Sequence, residues 1–258
     1  KQMDGKTVFV TKMANIAAGK GMLVINAAGN DGDSDWQVIS APADADSVLT
    51  VGGISSFSGT HIGFSSFGPT YDGRLKPNVV AFGDVITTGK KEIKTSYGTS
   101  FSTPLVSGFA ACVMQMNPDW NNMKVFDEIQ KSGHLYPYYD YAHGYGVPQA
   151  ASFFGMKPDF APTFKLDKKI NFLEIEVNKV AAENDSTELE EPGVQTKFFG
   201  TDTNYLYFHI ASEETGKIRK YRVIKMAEAD RYSISLDEIR NGEYVRIYYK
   251  GYSQKFKP

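Results

Sequence analysis

One stretch, residues 97–115, constrains the fold of this 258-residue chain more than any other. Gly98 predicts a tight turn, and a helix is predicted to open almost at Ser100. Pro104 then falls in the first helical turn, where its missing N–H leaves no helical hydrogen bond unmade. The body of the helix carries no charge on any face. We therefore expect a helix that is buried all round.

The position of Ser100 has two interpretations. Its hydroxyl lies at the positive end of the predicted helix, with backbone donors nearby, and this suits a nucleophile that attacks a carbonyl and creates an oxyanion. A serine at a helix start is also a common N-cap. This stretch alone leaves both interpretations open.

Charge and cysteine content exclude several classes of function. The formal net charge is -2 and the pI is about 6.1, so neither nucleic acid nor an anionic membrane surface is favoured as a partner. No apolar run approaches ~18 residues, so no membrane span is predicted. The single cysteine, Cys112, rules out a disulfide framework or a CxxC metal site and is expected to pack in the core.

The first 156 residues predict a parallel α/β sheet with flanking helices. Apolar runs typical of short buried strands occur at 22–28, 48–53 and 76–83. Helical spacing occurs at 7–18 and 121–131, in addition to the helix that opens near Ser100. Alternation of helices and buried strands is the pattern of a parallel sheet.

Residues 157–258 predict a second domain, a small all-β sandwich. Pro158 and Pro162 bracket a predicted linker, and period-two alternation then dominates. The predicted strands are 171–178, 205–211, 218–226, 232–236 and 243–250, and the acidic segment 183–191 is predicted to be a mobile loop. Aromatic residues in this part either fill the core and its cross-strand pairs or form a carbohydrate-binding face. They are Tyr205, Tyr207, Phe208, Tyr221, Tyr244, Tyr248, Tyr249 and Tyr252.

Three blocks in this order resemble the subtilisin family of serine proteases. They are AAGN at 27–30, FSSFGP at 64–69 with KPNVVAFG at 76–83, and GTSFSTPLVSG at 98–108, and the closing GYGVPQA at 144–150 is similar to the end of that catalytic domain. The resemblance implies a serine endopeptidase in which Ser100 is the nucleophile. It also implies that the Asn30 amide and the Ser100 N–H form the oxyanion hole. Taken alone, Asn30 is also an ordinary choice for a turn.

The resemblance also places a substrate pocket. By position in the family, Ala27, Ala28, Gly29 and the region near Ser40 would line the pocket for the residue before the scissile bond. Thr99, beside the nucleophile, is assigned to substrate binding as well. Small residues here leave room for a sizeable apolar side chain of a polypeptide substrate.

The family's aspartate and histidine motifs precede the oxyanion asparagine, and this sequence contains neither. His61 is expected to be a loop residue and His143 a turn residue, so no base is assigned. A serine without its base is a weak nucleophile, so we predict that the chain alone hydrolyses no peptide at a useful rate. The expected partner is an upstream part of the same protease, which would carry the aspartate and histidine and cover a Ser100 helix otherwise left partly exposed.

The remaining expectations concern metal, location and an alternative function. The run DGDSD at 31–35 could hold calcium, but Pro42 stands where a calcium loop would need its last glutamate, so a solvated acidic turn is favoured and no cofactor is assigned. The sequence opens on Lys1, so an upstream segment is expected to have been removed. We expect a secreted, periplasmic or cell-surface protein with its signal upstream. The alternative is a non-catalytic remnant whose β-sandwich binds a glycan or a cell-surface partner.

Overall fold

A three-stranded parallel sheet organises the first part of the chain in this computed structural model. Its strands are β1 (Val24–Ala27), β2 (Val48–Ile54) and β3 (Val79–Phe82), in the spatial order β1-β2-β3. Every residue of β2 is buried because this strand lies between the other two and is covered on its faces. The predicted parallel α/β sheet is therefore confirmed.

Three helices flank this sheet: α1 (Phe9–Gly19), α2 (Thr99–Met116) and α3 (Asn122–Lys131). Helix α2 lies over the sheet and contributes Val106, Ala110 and Val113 to a cluster with apolar side chains of β2 and β3. Helix α3 adds Val125, Phe126 and Ile129 to the same cluster. The helix that begins near Ser100 is thus anchored over all three strands.

The prediction that α2 is buried all round is wrong. Its outer face is open to solvent: Leu105 is 51% exposed and Met116 is 46% exposed. Cys112 is exposed too, so its expected place in the core is also wrong. A helix on a three-stranded sheet is covered on one side only, and no described element covers the other side of α2. The apolar stripe of α1 is likewise open, with Phe9 74% and Ile16 52% exposed.

A hairpin that the sequence patterns did not predict links the sheet to α2. Its strands are β4 (Asp84–Thr88) and β5 (Ile93–Tyr97), paired antiparallel. The backbone N–H of Gly98 donates to Gly83 O at 2.8 Å, which closes the base of the hairpin. Gly98 alone therefore separates Tyr97, the last residue of β5, from the start of α2.

The second part of the chain consists of two antiparallel sheets. The strands are β6 (Phe164–Lys168), β7 (Phe172–Val177), β8 (Tyr205–Ser212), β9 (Ile218–Lys225), β10 (Arg231–Ser235), β11 (Glu243–Tyr249) and β12 (Tyr252–Phe256). One sheet has the order β10-β7-β6 and the other β12-β11-β8-β9. Side chains from both sheets, such as Leu173, Ile175, Phe208 and Ile247, form one buried cluster. The predicted period-two strands are confirmed, and the assignment to an accessory β-sandwich domain stays a prediction.

Several of the aromatic residues in this part are buried. Phe208 and Tyr249 belong to the apolar cluster, and the buried rings of Tyr207 and Tyr248 meet edge to face with centroids 5.9 Å apart. These four residues therefore serve as core and cross-strand pairs, as one of the two interpretations expected.

The structure describes residues 3–88, 93–155, 161–178, 204–226 and 229–258, which belong to the two compact units Lys1–Lys157 and Pro158–Pro258. The predicted acidic loop at 183–191 lies outside the described residues. Within the described residues, no helix has the length and apolar character needed to cross a membrane.

Candidate active site

Backbone geometry places Ser100 in the first turn of α2. Gly98 has φ 154° and ψ 145°, a conformation that is essentially restricted to glycine, and it occupies the N-cap position without a side-chain cap. Ser100 follows inside the helix, so the N-cap interpretation of this serine is wrong. Its side chain is exposed, and its hydroxyl has no hydrogen-bond partner in the described part of the chain.

The Asn30 carboxamide lies against the same helix start. Its Oδ1 accepts a hydrogen bond from the backbone N–H of Thr99 at 2.8 Å and another from Thr99 Oγ1 at 2.9 Å. Thr99 itself is fully buried. Because both contacts are donors, they require the amide oxygen at this position. The Nδ2 group of Asn30 is therefore left to donate elsewhere.

Two donors converge beside Gly98. A Cβ atom added to Gly98 would lie 3.5 Å from Asn30 Nδ2 and 3.7 Å from the backbone nitrogen of Ser100. Any side chain at this position would thus enter the space between the two donors. Both donors lie where the helix dipole is positive, an arrangement that stabilises a developing oxyanion.

The residues predicted to form the substrate pocket meet at the end of β1. Ala27 is the last residue of β1, and Ser40 N donates to Ala28 O at 3.1 Å. Ala28 is fully buried and packs with Ile39 and Ala43. Gly29 has φ 119°. The role of these residues in substrate binding stays a prediction.

The FSSFGP block supplies a supporting residue to which no role was assigned from the sequence. Ser66 N donates to Gly29 O at 2.9 Å, and Ser66 Oγ accepts from Asp31 N at 3.1 Å. A Cβ on Gly29 would lie 2.7 Å from Ser66 Oγ and 3.2 Å from Ser40 Oγ. The turn that presents Asn30 is therefore held by Ser66 and has no room for a larger residue at Gly29.

None of the described histidines forms a hydrogen bond with Ser100. His61 lies in the loop after β2, as expected, where its Nε2 is 2.9 Å from Ser65 O. Burial is the main cause of a lowered pKa for His61, and the nearby His143 lowers it further. His61 is therefore fixed by its own loop.

His143 lies in a turn, as expected, and forms a buried pair with Asp140. His143 Nδ1 is 3.0 Å from both carboxylate oxygens of Asp140, and His143 Nε2 accepts from His61 N at 2.9 Å. Burial raises the pKa of Asp140, but the neighbouring His143 ring and the hydrogen bonds to the carboxylate outweigh it and lower that pKa overall. Both ring nitrogens of His143 form hydrogen bonds, so the His143–Asp140 pair has a structural role.

The acidic run at 31–35 forms a turn. Ser34 N donates to Asp31 O at 3.0 Å. Among the described residues, no group of three or more His, Cys, Asp or Glu side chains is arranged to hold a metal ion. The described residues therefore provide no set of ligands that would support the calcium hypothesis.

Comparison with known proteins identifies the class that this fold and site define. The model of the peptidase S8 subtilase family matches residues 2–146, and the chain belongs to that family. The serine protease AprX of Bacillus subtilis (strain 168) is 35% identical over 135 residues, which cover 44% of this chain and 30% of that protein. Subtilisin NAT of Bacillus subtilis subsp. natto is 32% identical over 130 residues, which cover 50% of this chain and 32% of that protein.

Solved structures give similar matches. Sphericase is 28% identical, with a TM-score of 0.46, over 54% of this chain and 51% of the other. The S41 psychrophilic protease is 26% identical, with a TM-score of 0.48, over 57% of this chain and 54% of the other. The chain spans about a third of the length of the two curated relatives named above.

Proposed function

We propose that this chain carries the nucleophile and the oxyanion hole of a serine endopeptidase that cleaves polypeptides through an acyl-enzyme. The observation that supports this most is the contact between Thr99 and Asn30. It fixes the amide oxygen of Asn30 and leaves its NH₂ group, the Ser100 N–H and the free Ser100 hydroxyl at one helix start. Membership of the subtilase family supports the same chemistry.

The proposed reaction assigns a role to each group. Ser100 Oγ attacks the carbonyl carbon of the scissile peptide bond and gives its proton to a histidine of the upstream part. The oxyanion that forms accepts hydrogen bonds from Asn30 Nδ2 and from the Ser100 N–H. Breakdown of this intermediate releases the amine, which takes the proton from the histidine. Water then hydrolyses the acyl ester, and Ser100 regains its hydroxyl proton.

The upstream part of the protease is the proposed partner. Two open apolar surfaces support this proposal: the outer face of α2 with Leu105, and the stripe of α1 with Phe9 and Ile16. Exposed apolar faces of this extent mark surfaces that another element covers. Among the described residues no base lies beside Ser100, so the 258-residue chain is expected to hydrolyse peptides very slowly.

The test uses the full-length protein and a fluorophosphonate probe. The parent should be labelled at Ser100, and Ser100→Ala should not be labelled. Ser107→Ala should be labelled like the parent, since Ser107 lies on the same helix and its hydroxyl donates to Thr103 O at 2.9 Å. Asn30→Leu should lower kcat by about 10²–10³, the range for loss of one oxyanion donor, which has been measured on a member of this family. Labelling of a different serine would contradict the proposal.

Cleavage preference and location complete the proposal. We expect a sizeable apolar residue before the scissile bond, because the pocket assigned to Ala27–Ser40 is built from small residues. Reporter peptides with Phe, Leu or Arg at that position test this with the full-length protein, and exclusive cleavage after Arg would contradict it.

We also propose export from the cytoplasm, which cell fractionation of the source organism tests.

A further inference from the structure

The β4–β5 hairpin exposes the more apolar of its two faces. Residues paired across an antiparallel ribbon share a face, and successive residues alternate between faces. The pairs Asp84–Tyr97, Ile86–Thr95 and Thr88–Ile93 therefore lie on one face. On it, Ile86 is 78%, Ile93 75% and Tyr97 63% exposed.

The opposite face of the same ribbon carries Val85, Thr87, Lys94 and Ser96 and is partly covered. Thr87 Oγ1 and Ser96 Oγ lie 2.6 Å apart on this face, and both residues are half-buried. A ribbon on a protein surface ordinarily turns its apolar face inward and its hydroxyl groups outward. This hairpin instead keeps Ile86 and Ile93 on its exposed face, so both isoleucines remain available to another molecule.

Phe57 extends the exposed apolar surface. The carboxylate of Asp84, on the same face as Tyr97, accepts a hydrogen bond from Ser56 N at 2.7 Å and thereby holds this turn at the base of the hairpin. The next residue, Phe57, is 87% exposed. We call the surface formed by Phe57, Ile86, Ile93 and Tyr97 the hairpin face. Among the described residues of the ribbon, the only charged side chain on this face is Asp84, which is buried.

The hairpin face is continuous with the candidate active site. Tyr97 directly precedes Gly98, whose N–H is bound to Gly83 O at 2.8 Å, and Ser100 follows two residues later. From Tyr97 to Ile93 the strand runs for roughly 13 Å. The hairpin face therefore begins within a few residues of Ser100 and extends along the ribbon for roughly 13 Å.

We propose that the hairpin face binds apolar side chains of an extended polypeptide substrate, several residues from the scissile bond. This proposal rests on the proposed peptidase function. The chemistry of the face fits such an occupant, since it offers exposed aliphatic and aromatic groups bordered by the hydroxyls of Thr88 and Thr95 and presents no exposed charge. A nucleic acid or an anionic lipid would require cations that this face lacks among its described residues.

The experiment compares two variants of the full-length protein. In the first, Ile86→Thr and Ile93→Thr are combined, because threonine keeps the preference for a strand while it removes apolar surface. The matched control is Lys94→Ser, an exposed position on the opposite face of the same ribbon. Each is assayed with a four-residue p-nitroanilide, with a long peptide carrying leucines at both ends, and with a twin of that peptide carrying serines instead.

The expected result is selective. The double variant should raise KM for the leucine peptide about tenfold, with kcat unchanged, since two aliphatic contacts are weakened. The p-nitroanilide, the serine twin and the Lys94→Ser control should show parent kinetics. Equal KM values for the leucine peptide in parent and double variant would overturn the proposal. So would a double variant that only changes the oligomeric state.

A second measurement separates this proposal from the peptidase function. The labelled leucine peptide is titrated into the Ser100→Ala protein and followed by fluorescence anisotropy. The double substitution should weaken Kd about tenfold there also. If the parent hydrolyses none of the substrates, the peptidase proposal fails. The anisotropy titration still decides whether the hairpin face binds, and an unchanged Kd overturns that.

Discussion

Thr99 holds Asn30 through two hydrogen bonds to a single oxygen, from its backbone N–H at 2.8 Å and from its Oγ1 at 2.9 Å. The two residues are far apart in sequence, and the contact joins the end of β1 to the start of α2. The threonine beside the candidate nucleophile therefore orients the amide that is proposed to donate to the oxyanion. Because Thr99 is fully buried, we assign it as a positioning residue of the proposed site.

Thr99→Val tests this relationship. The substitution keeps the shape and the backbone donor but removes the hydroxyl, so one hydrogen bond worth about 1 kcal/mol is lost. In the full-length protein, kcat should fall about five- to tenfold with KM little changed.

Thr103→Val is the matched control for this change. Thr103 Oγ1 donates to Thr99 O at 2.8 Å within α2, away from Asn30. It should leave kcat near the parent value. A Thr99→Val protein that loses only substrate affinity would show that Thr99 contacts substrate, as first expected, and does not orient Asn30.

The rate at which Cys112 reacts with maleimide shows whether another element covers the outer face of α2. The thiol is exposed on the outer face of the helix, so maleimide should label it rapidly in the 258-residue chain. If an upstream part packs on this face, labelling of the native full-length protein should be at least about tenfold slower, because only an opened state reacts. Mass spectrometry measures both rates, and urea-unfolded protein provides the reference. Equal rates in the two native proteins would show that the face stays open.

Lys76 should make stability depend on pH near neutrality. Its Nζ is buried and donates to Val48 O at 2.5 Å and to Asn78 Oδ1 at 2.9 Å, and no described carboxylate forms a salt bridge with it. Burial lowers the pKa of Lys76 to about 7, helped by the charge of Arg74 and opposed by Asp46 and Asp44. Between pH 7 and the ordinary pKa of lysine, Lys76 carries a proton in the unfolded chain but not in the folded chain. The free energy of unfolding therefore rises with pH over this range, by on the order of 3–5 kcal/mol in all.

Urea unfolding at pH 7 and pH 9.5 checks the Lys76 prediction. The parent should gain free energy of unfolding between the two pH values, and Lys76→Met should show much less of this gain. Asn78→Asp places a carboxylate beside the ammonium, so it should raise the pKa of Lys76 and flatten the pH dependence. An identical pH dependence in the parent and Lys76→Met would assign the effect to other groups.

His134 should make the first unit sensitive to acid. Its Nδ1 accepts from Val147 N at 2.9 Å, and burial, followed by the nearby His143, lowers the pKa of His134 to about 4. The unfolded chain takes up a proton near pH 6.5 and the folded chain does not. Stability is therefore lost as pH falls from 6.5 toward 4, by roughly 2–3 kcal/mol.

His134→Asn keeps an acceptor for the Val147 N–H but does not titrate. This variant should lose less stability than the parent between pH 7 and about pH 5, as measured by urea unfolding across the range, and the loss that remains includes that of His61, whose pKa is also lowered by burial. Asp140, whose pKa is lowered overall, adds a further loss only at more acid pH. A variant that loses as much stability as the parent over this interval would contradict the role given to His134.

The elements that could be predicted from the sequence are those with a strong apolar period. The buried strand at 48–53, the helix after Ser100 and the alternating strands after residue 204 all appear near their predicted bounds. The hairpin β4–β5 was not predicted, because both of its faces mix apolar and polar residues. Ile86 shares the exposed face with Thr88, and Val85 shares the opposite face with Thr87. Its strands therefore show no clear alternation of apolar and polar residues.

Burial of whole faces was the least predictable property. The uncharged body of α2 was expected to be buried on all sides. The composition of a helix shows which faces it can bury, but it does not show whether another element is present to cover them. The contacts around Asn30 could not be predicted from the sequence either, since Thr99 and Ser66 are separated from it by tens of residues. The family motif implied that Asn30 and Ser100 act together, and the structure shows which atoms hold the amide.

Strand β1 lies at the margin of its sheet and, among the described residues, is paired only with β2. Its outer backbone groups therefore form a ready template for one more strand. Under the proposed function, a strand of the upstream part that pairs here in the same direction as β2 would end near Ala27, three residues before Asn30. The same pairing would then extend the sheet and bring an upstream residue toward Ser100.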